Sequence, residues 1–139
     1  MKIYLAGPMT GYQEFNFPAF IEGAWLLRDA GHEVWSPAEH DIACGLDVTG
    51  LDGSPQSLAG SGFDLRRALG ADLTWITSHS EAVVLLPGWE KSSGARAEIA
   101  TALAIGIPVW RLGPFLVASS AAESLCPADL FRAALWEAS

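Results

Sequence analysis

Apolar and polar residues alternate in blocks along this chain, and the blocks read in turn as strands and helices. Lys2 to Leu5 is short and β-prone and stops at Gly7-Pro8, which predicts a first strand. Met9 to Asn16 reads as a glycine-bearing loop. Phe17, Phe20 or Ile21, Ala24 and Leu27 then recur near helical spacing. They predict a helix opening at Phe17 or Pro18, with Arg28 and Asp29 reaching solvent and Gly31 as its stop. His32 to Ser36 predicts a second strand, ended by Pro37.

Residues 38–61 have another texture. Glu39, Asp41, Asp47 and Asp52 are interspersed with Gly45, Gly50, Gly53 and Gly60, with no sustained period. This predicts a long loop at the edge of an active site. Leu65, Leu69, Leu73 and Ile76 then form an apolar stripe for a helix from Phe63 to Thr77, with Asp64 placed to cap it. Ala82 to Leu86 is apolar without alternation, which fits a strand from Glu81 to Leu86 covered on both faces. Ser92 or Ser93 can cap a helix running to about Ile105, stopped by Gly106. Ile107 to Leu112 predicts another strand, with Pro108 at its start. Residues 113–139 read as a helical C-terminal extension, with a last helix from Pro127 to Glu137.

Strands and helices in this order predict an α/β fold with a parallel sheet and helices on both faces. Ligands of such sheets lie beyond the carboxyl ends of the strands. Three loops should gather there: Gly7 to Asn16, Pro37 to about Asp41, and Pro87 to Gly94.

The 139 residues fit one domain. Half are apolar, with six Trp and six Phe, so there is material for a sizeable core. Eight Lys plus Arg against 16 Asp plus Glu leave a net charge of -8, which argues against a groove for polymeric nucleic acid. A small anion held by backbone donors at a helix end stays compatible with it. Cys44 and Cys126 are too few for a disulfide scaffold and suit a reducing, cytoplasmic setting. No apolar run reaches the roughly 18 residues of a membrane span. The first residues lack the apolar core of a signal peptide.

Two carboxylates stand where helices should face the sheet. Glu98 follows Gly88-Trp89-Glu90-Lys91-Ser92-Ser93-Gly94 near the start of a helix, beside Ala95, Ile99 and Ala102. There it can act as nucleophile or base in a sheltered cleft, or simply favour the positive helix end. Asp72 sits on or beside the Leu69, Leu73, Ile76 stripe, where a lone carboxylate is costly unless partnered. It can donate a proton to a leaving group, or lie at the stripe edge and reach water.

In the first loop, Gly7, Pro8, Met9, Thr10, Gly11 and Tyr12 combine close backbone approach with two hydroxyls. The loop is neither a Walker loop nor a dinucleotide fingerprint. Ser92 and Ser93 can hold phosphate with free backbone N–H groups, or only cap the helix. Trp89, beside Gly88 and Gly94, can stack on a base, whereas Trp35, Trp75 and Trp110 should support the core. Arg66 and Arg67 are weaker candidates for an anion. His32, His40 and His79 show no metal spacing, so neither a metal nor a cofactor is expected.

The segments Ala6-Gly7-Pro8-Met9-Thr10-Gly11, Asn16-Phe17-Pro18-Ala19-Phe20, Gly31-His32 and Pro37-Ala38-Glu39 resemble the domain of unknown function numbered 4406. So does Val83-Val84-Leu85-Leu86-Pro87-Gly88-Trp89-Glu90 with Ser92, Gly94, Ala95 and Glu98. That domain is often found in phages and is similar to nucleoside 2-deoxyribosyltransferases and deoxynucleoside 5'-monophosphate N-glycosidases. The resemblance implies a flavodoxin-like three-layer sandwich with a four- or five-stranded parallel sheet, assembled as a homodimer or larger homo-oligomer. It implies Glu98 as the nucleophile toward C1', Asp72 as proton donor or base contact, and Ser92 as a phosphate contact. The family's aromatic hydroxyl matches Tyr12, and less securely Tyr4. Glu81, the acidic loop and the Trp89-Glu90 pair depart from the characterised enzymes.

The expected function is cleavage or transfer at the N-glycosidic bond of a small nucleoside or nucleotide. Water as acceptor makes a hydrolase and a second base makes a transferase. The alternative is a nucleotide-binding or sequestering module without turnover. A third class, an interaction domain, would place Asp72 and Glu98 on separate faces.

Overall fold

A computed structural model describes residues 1–121. Four strands, β1 (Lys2–Ala6), β2 (Glu33–Trp35), β3 (Ala82–Leu85) and β4 (Val109–Arg111), pair in the order β2-β1-β3-β4. All pairings are parallel. The helices are α1 (Phe17–Asp29), α2 (Pro37–Ala43), α3 (Leu65–His79), α4 (Ser93–Ala104) and α5 (Leu112–Ala121). The sheet thus has four strands, in a three-layer flavodoxin-like sandwich.

Strand pleating sorts side chains to the two faces. Ile3, Leu5, Ala82, Val84 and Trp110 meet Phe17, Phe20, Ala24 and Leu27 of α1 and Phe115 of α5. Tyr4, Ala6, Val83, Leu85 and Val109 meet Ile76 of α3 and Ala95 and Ala102 of α4 on the other face. Every residue of β3 is buried, as its unalternating apolar run predicts. On α1, Phe20 fills the core position, and Ile21 is exposed. Trp35 stacks on Trp75 at 5.6 Å beside the second core cluster, and Trp110 joins the first.

Some boundaries differ from the sequence expectation. Residues 38–61 are not loop throughout. Pro37 sits in the first turn of α2, and a short 3-10 turn covers Pro55–Leu58. Seven residues are too few to display a helical period, which is why α2 was not legible. The α3 helix begins at Leu65, because the Asp64 carboxylate accepts from Arg66 N at 3.0 Å and Arg67 N at 3.4 Å and caps it. Its stripe is not uniformly buried: Ile76 is covered, whereas Leu65 is 70% exposed, since the first turns of α3 overhang a cleft. The fourth strand ends at Arg111, and α5 starts at once, with Pro114 in its first turn. Pro108 precedes β4 and its carbonyl accepts from Val83 N at 2.9 Å. The helix expected over Pro127 to Glu137 lies outside the described residues. No helix among the described residues is long and apolar enough to cross a membrane.

Candidate active site

The loops after β1, β2 and β3 converge at the carboxyl ends of the strands, where the topology requires them. They enclose a cleft of about 600 Å³, within the range of small-ligand pockets. Its walls are mostly apolar, with Asp41, Asp72, Lys91, Ser92 and Glu98 as the groups of chemical interest.

Glu98 lies in the second turn of α4, on the face that also buries Ala95 and Ala102. It is 6% exposed and opens onto the cleft. Behind it stands Tyr4 of β1, fully buried, whose hydroxyl donates to Glu98 Oε1 at 2.9 Å. This contact follows from strand parity. Tyr4 and Ala6 point to the α3/α4 side of the sheet, and Tyr4 alone of the two can reach a carboxylate. Burial pushes Glu98 up to about 8, and the charge of Asp72 adds to the rise, while the Tyr4 hydroxyl opposes it. Tyr4 in turn is raised well above the ordinary phenol range by burial and by Glu98 and Asp72, so it remains a donor.

Asp72, on α3, is 7% exposed and lines the same cleft. Burial raises it to about 6, against the opposing influence of Trp35, His40 and Tyr4. Its Oδ1 is buried without a hydrogen-bond partner, and so is the Trp35 indole nitrogen. A buried carboxyl oxygen left without a partner costs stability.

The first loop is shaped by an unusual left-handed run, Glu14, Phe15 and Asn16, with φ of 52°, 52° and 63°. Asn16 Nδ2 donates to the Pro8 carbonyl at 2.9 Å, and Phe15 is buried, so side-chain contacts hold the turn. The segment after α2 clasps this loop: Gly11 N donates to the Gly53 carbonyl at 2.8 Å and Glu14 N to the Leu51 carbonyl at 2.7 Å. A Cβ at Gly53 would strike the Tyr12 backbone, and one at Gly88 the Tyr12 hydroxyl. Both glycines have left-handed φ, +85° and +89°. Tyr12 is therefore fixed between two glycines at the rim of the cleft, 42% exposed.

At the other end, Ser92 caps α4, its Oγ accepting from Ala95 N at 3.2 Å. Lys91, Ser93 and Gly94 border the cleft beside it. Free N–H groups, a lysine and two hydroxyls make this the electropositive end.

Of the residues singled out from sequence, Glu98, Asp72, Tyr12, Gly7, Pro8, Met9, Thr10, Gly11, Gly88, Ser92, Ser93 and Gly94 all line the cleft. Two do not. Tyr4 lies beneath Glu98 and acts through it, so it is not a wall residue. Trp89 packs against the second core cluster instead of offering its face to the cleft, because the 3-10 turn Trp89–Lys91 folds it inward. Asp41 and Lys91 were missed. Asp41 follows Ala38 by three positions in a helix opened by a proline, a faint amphipathic signal next to a strand end. Arg67 borders an adjoining groove, and Arg66 is exposed.

The model of one protein family, described as Domain of unknown function (DUF4406), matches residues 1–111, which span every residue of the cleft. No curated protein matches the chain, and no solved structure does.

Proposed function

The chain belongs to the DUF4406 family, and from the geometry of its cleft we propose that it cleaves the N-glycosidic bond of a small deoxynucleoside or its 5'-monophosphate. One observation carries this reading. Two buried carboxyls, Glu98 and Asp72, share a cleft of nucleotide size, and one of them is held by a buried phenol.

The chemistry follows from the pair. Glu98 as carboxylate attacks C1' while the C1'–N bond breaks and its electron pair stays with the base. Asp72 supplies the proton that neutralises the departing base. Water then adds at C1', the Glu98–C1' bond breaks with its electrons returning to Glu98, and the water proton returns to Asp72. A second base in place of water gives transfer. The pair must hold one proton between them, and like charges in a buried site favour that state; at rest the proton lies on Glu98, raised to about 8 against about 6 for Asp72, and it passes to Asp72 in the reactive form. Positive charge developing at the sugar draws Glu98 toward its anion, and the Tyr4 hydroxyl supports the same form. Lys91, Ser92 and the start of α4 receive the sugar or its phosphate.

A cytoplasmic nucleotide pool supplies such substrates, and homo-oligomeric assembly belongs to the same reading. Exposed Ile21 and Trp25, one turn apart on α1, give it apolar surface.

The test is a panel of deoxynucleosides and their monophosphates, with free base followed by mass detection. Base release by the wild type, abolished in Glu98→Gln and Asp72→Asn, is the expected result. Tight binding without release would replace this reading by a sequestering module. Absence of any binding would sink both.

A further inference from the structure

The cleft has a second acidic end that the mechanism does not use. Asp41 of α2 is 7% exposed, lines the cleft, and makes no hydrogen bond or ion pair through its carboxyl among the described residues. Its helix is anchored on two sides. Ala38 is fully buried in the first core cluster, and Glu39 receives Arg28 from α1 in a two-pronged pair at 2.7 and 2.8 Å. Asp41 is thus held rigidly where it stands.

The position is informative. Leu46, Phe63 and Ala68 border the cleft around Asp41, and with it they also border an adjoining groove of about 490 Å³. The carboxyl therefore stands where the cleft opens onto this groove. The apolar side chains of Leu46, Phe63 and Ala68 at this end suit an aromatic ring. Asp41 and Asp72 repel an anion here, whereas Lys91, Ser92 and the start of α4 attract one at the opposite end. A nucleotide is oriented by that asymmetry, phosphate toward α4 and base toward α2.

We propose that Asp41 is the residue that reads the base, its carboxyl oxygen accepting a hydrogen bond from an N–H donor on the base edge. This rests on the reading of the cleft as a nucleotide site. The ionised carboxyl only accepts, so in that form the selection is for a donor: an exocyclic amine, as in adenine, or a ring N–H, as in hypoxanthine. Unsubstituted purine, linked through its ring nitrogen, has neither. A buried acceptor left unpaired by such a ligand penalises its binding. Burial, with Asp72 beside it, pushes Asp41 up to about 7. The other charged or titratable groups around it are Glu39 and His40 on its own helix, Cys44, Asp64 and Arg67 along the groove, and Tyr12, Lys91 and Glu98 across the cleft.

The experiment measures binding and is run throughout in a Glu98→Gln background, so that no ligand is turned over; wild type here means Asp41 unaltered in that background. Calorimetry on the full chain at pH 9, where Asp41 is ionised, compares the 5'-monophosphates of deoxyadenosine, deoxyinosine and the deoxynucleoside of unsubstituted purine, with 2-deoxyribose 5-phosphate as a ligand lacking a base. The wild type should bind the two donor-bearing nucleotides about 10- to 100-fold more tightly than the purine nucleotide. Asp41→Ala should bring that ratio close to one and leave 2-deoxyribose 5-phosphate unchanged. Asp41→Asn, whose amide can either accept from a base donor or donate to a bare ring nitrogen, should narrow the ratio by strengthening the purine nucleotide. Lys91→Ala should weaken all four ligands alike. A ratio that survives Asp41→Ala, or its absence in the wild type, overturns the assignment. If the ratio behaves as expected but the chain with Glu98 intact never releases base, the cleavage reading falls and the base-reading role of Asp41 stands.

Discussion

The Tyr4 hydroxyl donates to Glu98 Oε1 at 2.9 Å, joining the first strand to the fourth helix between residues 94 positions apart. The contact is buried, and it favours the charged form of a carboxyl that its surroundings otherwise hold neutral. Tyr4→Phe keeps the ring and its packing and removes only the hydroxyl. Hydrogen bonds to charged groups contribute about 1.5–3 kcal/mol, so kcat should fall roughly 10- to 100-fold. Because the hydroxyl lowers the Glu98 pKa, its loss should also move the alkaline limb of the kcat profile upward. A profile that keeps its alkaline limb in place would separate Tyr4 from Glu98.

Base release should follow a bell-shaped pH profile with limbs at about 6 and about 8, the values to which burial lifts Asp72 and Glu98. Below the lower limb both carboxyls are protonated and no nucleophile remains. Above the upper limb neither holds a proton for the base. The limbs belong to the pair, not to either residue.

Folding stability should respond to the same groups. Asp41, Asp72 and Glu98 all have pKa values raised in the folded chain, to about 7, about 6 and about 8. A raised carboxyl binds its proton more tightly when folded, so its contribution is complete below the unfolded values near 4 and is lost as pH rises through the folded ones. Urea midpoints should therefore be higher at pH 5.5 than at pH 9. Glu98→Gln and Asp41→Asn should each stabilise the chain at pH 9, by about 1–3 kcal/mol, and flatten this dependence. Variants that lose function while gaining stability would identify carboxyls kept for their chemistry.

Gly53 has left-handed φ and lies against the Tyr12 backbone. Gly53→Ala should destabilise the chain by about 1–3 kcal/mol through strain and through the displaced loop. It should raise KM more than it lowers kcat, because the rim moves and the Glu98–Tyr4 contact beneath it does not. Equal losses in both parameters would mean that the loop positions the reacting groups as well.

Much of this was readable in the chain. Phe17, Phe20, Ala24 and Leu27 all reach the core of α1, and the unbroken Ala82 to Leu85 run is the covered central strand. Asp72 and Glu98 stood out because a carboxylate among core-facing positions breaks its helix's pattern, and both line the cleft. What was hidden depended on contacts distant in sequence. Nothing near Tyr4 announces a partner at position 98, so the sequence favours Tyr12, with its glycine neighbour, as the aromatic hydroxyl of the site, whereas strand parity makes Tyr4 the one that donates to Glu98. Asp41 was lost in an acidic stretch because α2 is too short for a period to emerge. Trp89 looked like a base platform from its glycines, yet core packing claimed its ring.

Because β1 lies between β2 and β3, it keeps one edge unpaired during synthesis until residues 82–85 have been made. Through some eighty residues of translation, its apolar side chains lack their full covering, the exposure that makes nascent parallel sheets prone to association. Both carboxyls are present only once residue 98 has been made, by which point β1 has both of its neighbours and only the edge strand β4 is still to come.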